Sequence, residues 1–372
     1  MVPLLGQFHR LKKATLFLLM QLLMATLAGS YIFIYFQNKG FALYSLLLLY
    51  LFQALLTILL IPLFGKISLR KSIVWAYIFF AVLNLSLAVV PSKISFYVYP
   101  MLNALASTLF WIPLNYLFFR SSQNETNARD SSIYSVGLCV LGIIAPPLGA
   151  LIIHQLGYGW LFGLTAGLYL IPIYLARKYI AEEVQESQFI SSFYVFKGLK
   201  TITFCEGSIQ YFTTVILPVY TLLFFTKEFE YGFFLSYVAV IGSFAAIVIS
   251  YLSDKVQKRM VFVYPLFLFL TLSILGVIYA HSATLWIVIV GIITVLMVVS
   301  YPLRIAVSLD VKETNIGFWR IREFFLNVGR FITLLLSLVF FYLKIYWPVF
   351  VIFSGICLFY PFLIRYKFHE VK

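Results

Sequence analysis

The sequence predicts an all-α membrane protein, with twelve transmembrane helices arranged as two six-helix halves. Three observations carry that expectation. The 372-residue chain is 63% hydrophobic and only 11% charged, with a mean hydropathy of +0.99. A soluble domain carries about 25% charged residues to face water, so lipid must be the main solvent here. The apolar residues fall in continuous runs of roughly 20, the length that crosses a bilayer as a helix, not in the short alternating segments of a membrane barrel. The basic residues, finally, crowd into every second gap between those runs. One very large soluble core is excluded, because too few polar residues would remain to cover it.

The runs follow in order. The first, 14–36, comes directly after the basic stretch HRLKK (9–13). It is longer than the apolar region of a signal peptide, and TLA at 26–28 is a poor cleavage site, so it reads as a retained helix. The second, 41–64, contains LYSLLLLYLFQALLTILLIPLF, too continuous for a strand. After the gap GKISLRK (65–71) come 72–90, 95–119, 131–153 and 160–176. The longest connection, 177–200, contains RKYIAEEVQESQFISSF and lies at the middle of the chain. Six more runs follow: 201–226, 231–252, 260–280, 285–303, 322–343 and 346–364. The expected division is therefore a six-helix bundle over 1–176, an inner linker over 177–200 and a second bundle over 201–372.

Counted from a cytoplasmic N-terminus, the gaps alternate between inner and outer. The inner gaps and tails hold 22 of the 27 Lys and Arg; the outer gaps hold Lys39, Lys93, Lys227 and Lys344, and Arg330 falls within a span. Such a bias is the positive-inside rule. The net charge of +14 thus orients the chain and does not mark a nucleic-acid binder. Both termini are expected in the cytoplasm, in a cell membrane or bacterial inner membrane. Cys139, Cys205 and Cys357 all sit in apolar runs, so no disulfide framework is implied. NET at 124–126 matches a glycosylation sequon but lies in an inner gap, where glycosylation does not occur. The outer gaps are all too short for an external domain.

The halves also correspond in position. GKISLRK begins at Gly65 and SDKVQKR at Ser253, 188 residues later, while the first spans of the halves begin 187 residues apart, near 14 and 201. Equal offsets indicate an internal repeat. Parallel six-helix repeats around a midplane site are a transporter plan.

SYLSDKVQKR (250–259) resembles the loop signature of the major facilitator superfamily of secondary transporters, and the likeness extends over the whole length. In that family G-x-x-x-D-[RK]-x-G-[RK]-[RK] joins helices 2 and 3 and often recurs between helices 8 and 9. Asp254 matches the acid, Lys255 the next base, and Lys258 and Arg259 the final pair, while Ser250 and Gln257 replace the glycines. The first-half copy keeps Gly65, Arg70 and Lys71 but has no carboxylate. The resemblance implies a gate: Asp254 would latch the inner start of helix 5, where Arg129 and the capping residues Asp130, Ser131 and Ser132 stand. In helix 5, APPLGA (145–150) resembles the G-P-x-x-G-G core of exporters in the family, with Pro146 and Gly149 matching. Pro bends the helix and small residues permit close packing.

Ionisable groups inside spans are costly and are the first candidates for function. Glu206 and Arg330 stand well inside. Glu206, Gln210 and Thr213 recur at i, i+4 and i+7, on one helix face; Glu323, Asn327 and Arg330 do the same in helix 11, with Glu323 also a gating candidate. Asn103, Ser107, Trp111 and Asn115 form a polar face on helix 4. Glu206 would carry a coupling proton, or else pair structurally with Lys200 or Arg330. The scattered histidines form no metal set. No metal, cofactor or phosphate-binding loop is implied, so transport would draw on an ion gradient.

The sequence therefore reads as a monomeric permease, not an enzyme, exporting a small amphipathic or weakly charged molecule by antiport with protons. Its partners are the lipid bilayer, the substrate and protons. Metabolite uptake and lipid-linked substrates are the alternatives within this class. A multi-span acyl- or glycosyltransferase is the alternative from another, and it lacks a clustered set of catalytic residues.

Overall fold

The computed structural model of the chain describes residues 2–120, 127–253, 259–309 and 315–371. In chain order its helices are α1 (Val2–Leu27) and α2 (Ile32–Asn38), joined by a tight turn at Gly29–Tyr31; α3 (Leu43–Leu60); α4 (Leu69–Val89); α5 (Ser92–Phe119); and α6 (Asn127–Leu156). The consecutive α7 (Tyr158–Leu168) and α8 (Leu170–Tyr179) complete the first half. The short α9 (Phe189–Val195) lies in the central connection. The second half begins with α10 (Lys200–Tyr211), whose last turn widens into a π segment, Phe212–Ile216, before α11 (Leu217–Thr221). It continues through α12 (Glu228–Ser253), α13 (Arg259–Gly276), α14 (Ala283–Leu309), α15 (Ile316–Tyr342) and α16 (Trp347–Val371).

Among the described residues, nine helical segments are long and apolar enough to cross a membrane, and Leu141–Leu156 and Val263–Tyr279 are shorter apolar helices. With the broken α10–α11 segment, the order is consistent with the twelve expected spans. Large apolar side chains such as Trp75, Trp160 and Phe244 point outward, 52%, 66% and 72% exposed. In water this would be unfavourable; against lipid tails it costs nothing.

Packing within the first half and across to the second is closest where side chains are small. The Tyr31 hydroxyl donates to the carbonyl oxygen of Pro146. A Cβ on Gly149 would lie 2.6 Å from that tyrosine ring, and one on Gly232 would lie 3.1 Å from Ala150 Cβ. APPLGA therefore seats α6 against both Tyr31 and α12. Within the second half, α10 and α15 approach closer still. A Cβ on Gly207 would strike the Leu326 carbonyl, and one on Gly329 the Phe204 carbonyl.

One expectation is corrected. The run expected at 322–343 begins at Ile316, because Asn315 caps the helix: its Oδ1 accepts from Phe318 N at 2.8 Å. Arg320 and Arg322, counted as gap charges, are thereby drawn into the helix and buried, and α14 similarly carries Arg304 inside. The central connection packs onto the first half. Its β2 (Val184–Glu186) pairs antiparallel with β1 (Lys66–Ser68) from the GKISLRK gap, matching Lys66 with Glu186.

Candidate functional site

Two cavities lie between the halves and a third lies within the second half, and Thr214 lines all of them. The first, about 380 Å³, is nearer the end where Asn38 and Glu228 meet, and its polar wall includes Asn103 and Ser107 of α5. The second, about 270 Å³, lies toward the β1–β2 end and is lined by Glu206, Gln210, Arg304, Arg322, Glu323 and Arg330 among others. The third, about 300 Å³, is walled mostly by apolar side chains of α11, α12 and α14. Contacts between the halves bracket this system at both ends. At one end Asn38 Nδ2 and the Tyr158 hydroxyl donate to Glu228 Oε1 at 2.8 and 2.9 Å. At the other, Arg320 donates to Ile61 O at 3.0 Å, Pro62 O at 2.9 Å and Ser187 O at 2.7 Å, and Phe119 stacks on Trp319 at 5.1 Å.

The second cavity contains a buried charge centre. Glu206 accepts from Arg322 Nη2 at 2.6 Å and from the Tyr360 hydroxyl at 3.0 Å. The side chains of Glu206 and Arg322 are 4% and 9% exposed. A carboxylate so far from water needs both the opposite charge and the extra donor. Arg330 Nη1 donates to Asn327 Oδ1 at 3.1 Å, and Nη2 to Gln210. It also lies 3.7 Å from Glu323 and 4.9 Å from the centre of the Tyr211 ring. The approach of α10 to α15 through Gly207 and Gly329 sets this geometry, since Glu206 and Arg330 flank those glycines. Ser208 Oγ ties the same two helices by donating to Gly329 O at 3.3 Å.

Several residues singled out in the sequence meet here: Glu206, Gln210, Glu323, Arg330, Trp111 and Asn115 all line the second cavity, and Asn327 supports Arg330. Glu206 pairs with Arg322, whereas Lys200 sits over the Phe193 ring at 3.4 Å. Thr213 faces only the third cavity. The π segment at 212–216 adds a residue to the turn, and this rotates Thr214 into the position that regular helical spacing would give to its neighbour. Asn103 donates to Gln53 Oε1 at 2.8 Å and accepts from Ser107 at 3.4 Å.

The basic residues of the first-half gap and the end of α5 find their carboxylates in the central connection. Glu182 takes both Arg70 and Lys71, the latter at 3.0 Å. Glu183 takes Arg120 at 2.8 Å, and Glu186 takes Lys66 at 2.8 Å. The hydrogen bond from Lys71, with the nearby Arg70 charge, holds the Glu182 carboxyl below its ordinary range. Gly65 O accepts from Ser187 N at 3.0 Å. Asp254, Lys255 and Lys258 lie outside the described residues, as do the side chains of Arg259, Arg129 and Asp130. Sequence reasoning missed Arg304, Arg320 and Arg322; the signal that would have found the last two is the Asn315 cap in ETNIGF.

A family profile described as Major Facilitator Superfamily matches residues 14–318. No curated protein matches the chain. Among solved structures, the crystal structure of the human organic anion transporter MFSD10 (TETRAN) is similar, with 12% sequence identity and a TM-score of 0.70. The likeness covers 96% of this chain and 99% of that one. At that identity it speaks for the fold alone.

Proposed function

We propose, since the chain belongs to the Major Facilitator Superfamily and is a membrane transporter, that it exports a small amphipathic or weakly charged molecule at the expense of a proton gradient. The halves 1–176 and 201–372, joined by 177–200, rock about the cavity system and open it to either face in turn. Both termini lie in the cytoplasm and the chain works as a monomer. The buried Glu206–Arg322–Tyr360 centre, lining a cavity between the halves, is the observation that carries the reading. Such a centre has two discrete arrangements. Ionised, Glu206 holds Arg322; protonated, it releases Arg322 to face the cavity. A proton taken from one side and delivered to the other would thereby alternate with substrate. Export is supported by the likeness of Pro146 and Gly149 to the exporter core. Asp254, with Lys255, Lys258 and Arg259, serves as the latch on the start of α6 at Arg129 and Asp130.

Proteoliposome transport tests the coupling. Glu206→Gln mimics the protonated carboxyl, so the variant is expected to lose gradient-driven accumulation while retaining substrate counterflow. Accumulation at the wild-type rate would end the proposal, and loss of both activities together would leave the pair a structural one.

A further inference from the structure

We infer that Arg304 is the docking group for an organic anion whose apolar body occupies the third cavity; this rests on the transporter reading and names its substrate class. The second cavity is lined by three guanidiniums and two carboxylates. Arg322 is matched by Glu206, and Arg330 has Glu323 at 3.7 Å together with Asn327 and Gln210. Arg304 has no such match. It is 7% exposed, and although its Nε lacks a hydrogen-bond partner as do those of Arg322 and Arg330, it alone of the three has no carboxylate within ion-pair range among the described residues. It lies 5.7 Å from the centre of the Tyr301 ring and shares the second cavity with Glu206 and Glu323, whose charges are taken up by Arg322 and Arg330. A buried cation without a counter-ion is costly, and a ligand that brings the counter-ion removes that cost.

The shape of the site says what kind of anion. Arg304 lines both the second and the third cavity, so its head stands at their junction. A guanidinium presents parallel donors that match two oxygens of a carboxylate or sulfonate. Beyond it the third cavity offers Leu217, Phe234, Val238, Val290 and Met297, an apolar lining of about 300 Å³ with a flexible thioether in it. One oxyanion head with a single medium-length hydrocarbon body satisfies both parts. A dication or a polyhydroxylated solute satisfies neither.

The test uses 1-octanesulfonate, which stays ionised at all accessible pH values, with octanamide and octyltrimethylammonium as neutral and cationic controls of equal chain length. Binding to the purified full-length protein is read from quenching of tryptophan fluorescence, since Trp111 and Trp319 line the second cavity, and from thermal shift. Octanesulfonate should bind and stabilise the wild type at least about tenfold better than either control, as a charge-assisted hydrogen bond predicts. Arg304→Gln should lose that preference and, with no uncompensated cation left, melt at or above the wild-type temperature when ligand-free. Arg304→Lys keeps the charge without the fork and should fall between; if the Gln variant cannot be purified monodisperse, this intermediate affinity decides. Equal binding of octanamide, or undiminished octanesulfonate binding by either variant, overturns the assignment. Arg304-dependent binding without counterflow in proteoliposomes would instead keep the site and sink the export reading.

Discussion

Removing Arg322 leaves the Glu206 carboxylate buried without its counter-charge, at a cost of about 3–5 kcal/mol. Arg322→Met is therefore expected to lower the melting temperature sharply. Combining Arg322→Met with Glu206→Gln should restore much of the loss, because a neutral pair of similar volume replaces the charges. Strictly additive effects in that double-mutant cycle would mean that the two side chains do not depend on each other. Glu206 and Arg330 were legible in the sequence, since a charge well inside an apolar run has few innocent explanations. Arg322 was not. Together with Arg320, Lys312 and Arg304 it reads as one more basic gap, and only the Asn315 cap, seven residues before the apolar run begins, moves it into a helix. Hydropathy locates where a helix becomes apolar, not where it starts.

The α10–α15 crossing concentrates that chemistry in one element pair. Backbone meets backbone at Gly207 and Gly329, so the helices cannot slide or separate without losing Glu206, Arg322 and Arg330 as a set. Gly207→Ala or Gly329→Ala should each destabilise the protein by about 1–3 kcal/mol through overpacking, and should depress transport because the added methyl pushes the charges apart. Gly163→Ala is the control: nothing lies within 4 Å of the new Cβ in α7, and the helix gains intrinsic propensity of up to about 1 kcal/mol. Equal melting temperatures for all three variants would show that the crossing tolerates separation. The π segment that turns Thr214 toward all three cavities was invisible in the sequence, because FTTVI differs in no obvious way from a regular helical turn. The β1–β2 clasp was equally hidden, since three-residue strands give too short a pattern.

For the molecule as a whole, the alternation of basic and empty gaps makes a prediction about orientation. Reporter fusions after Lys197 and Lys372 are expected to report cytoplasm, and one at Lys227 the opposite face. If the reporters at 197 and 372 fall on opposite sides, the second half crosses the bilayer an odd number of times and the twelve-helix order fails. Composition and charge made the two-half architecture legible. They left open how the halves meet, because both the tight APPLGA seat and the Arg320 bonds to the Ile61 and Pro62 carbonyls just after α3 depend on backbone approach, which hydropathy does not encode. The surplus of one guanidinium over carboxylates in the second cavity also has an electrical side. Moving one elementary charge through the transmembrane field is worth about 2.3 kcal/mol per 100 mV. If the halves rock as proposed and the cargo is the anion inferred above, the unladen protein would bear that surplus and feel the membrane potential, while the laden one would be neutral there. The voltage would thus bias the empty protein to open toward the negative face and leave the loaded step untouched.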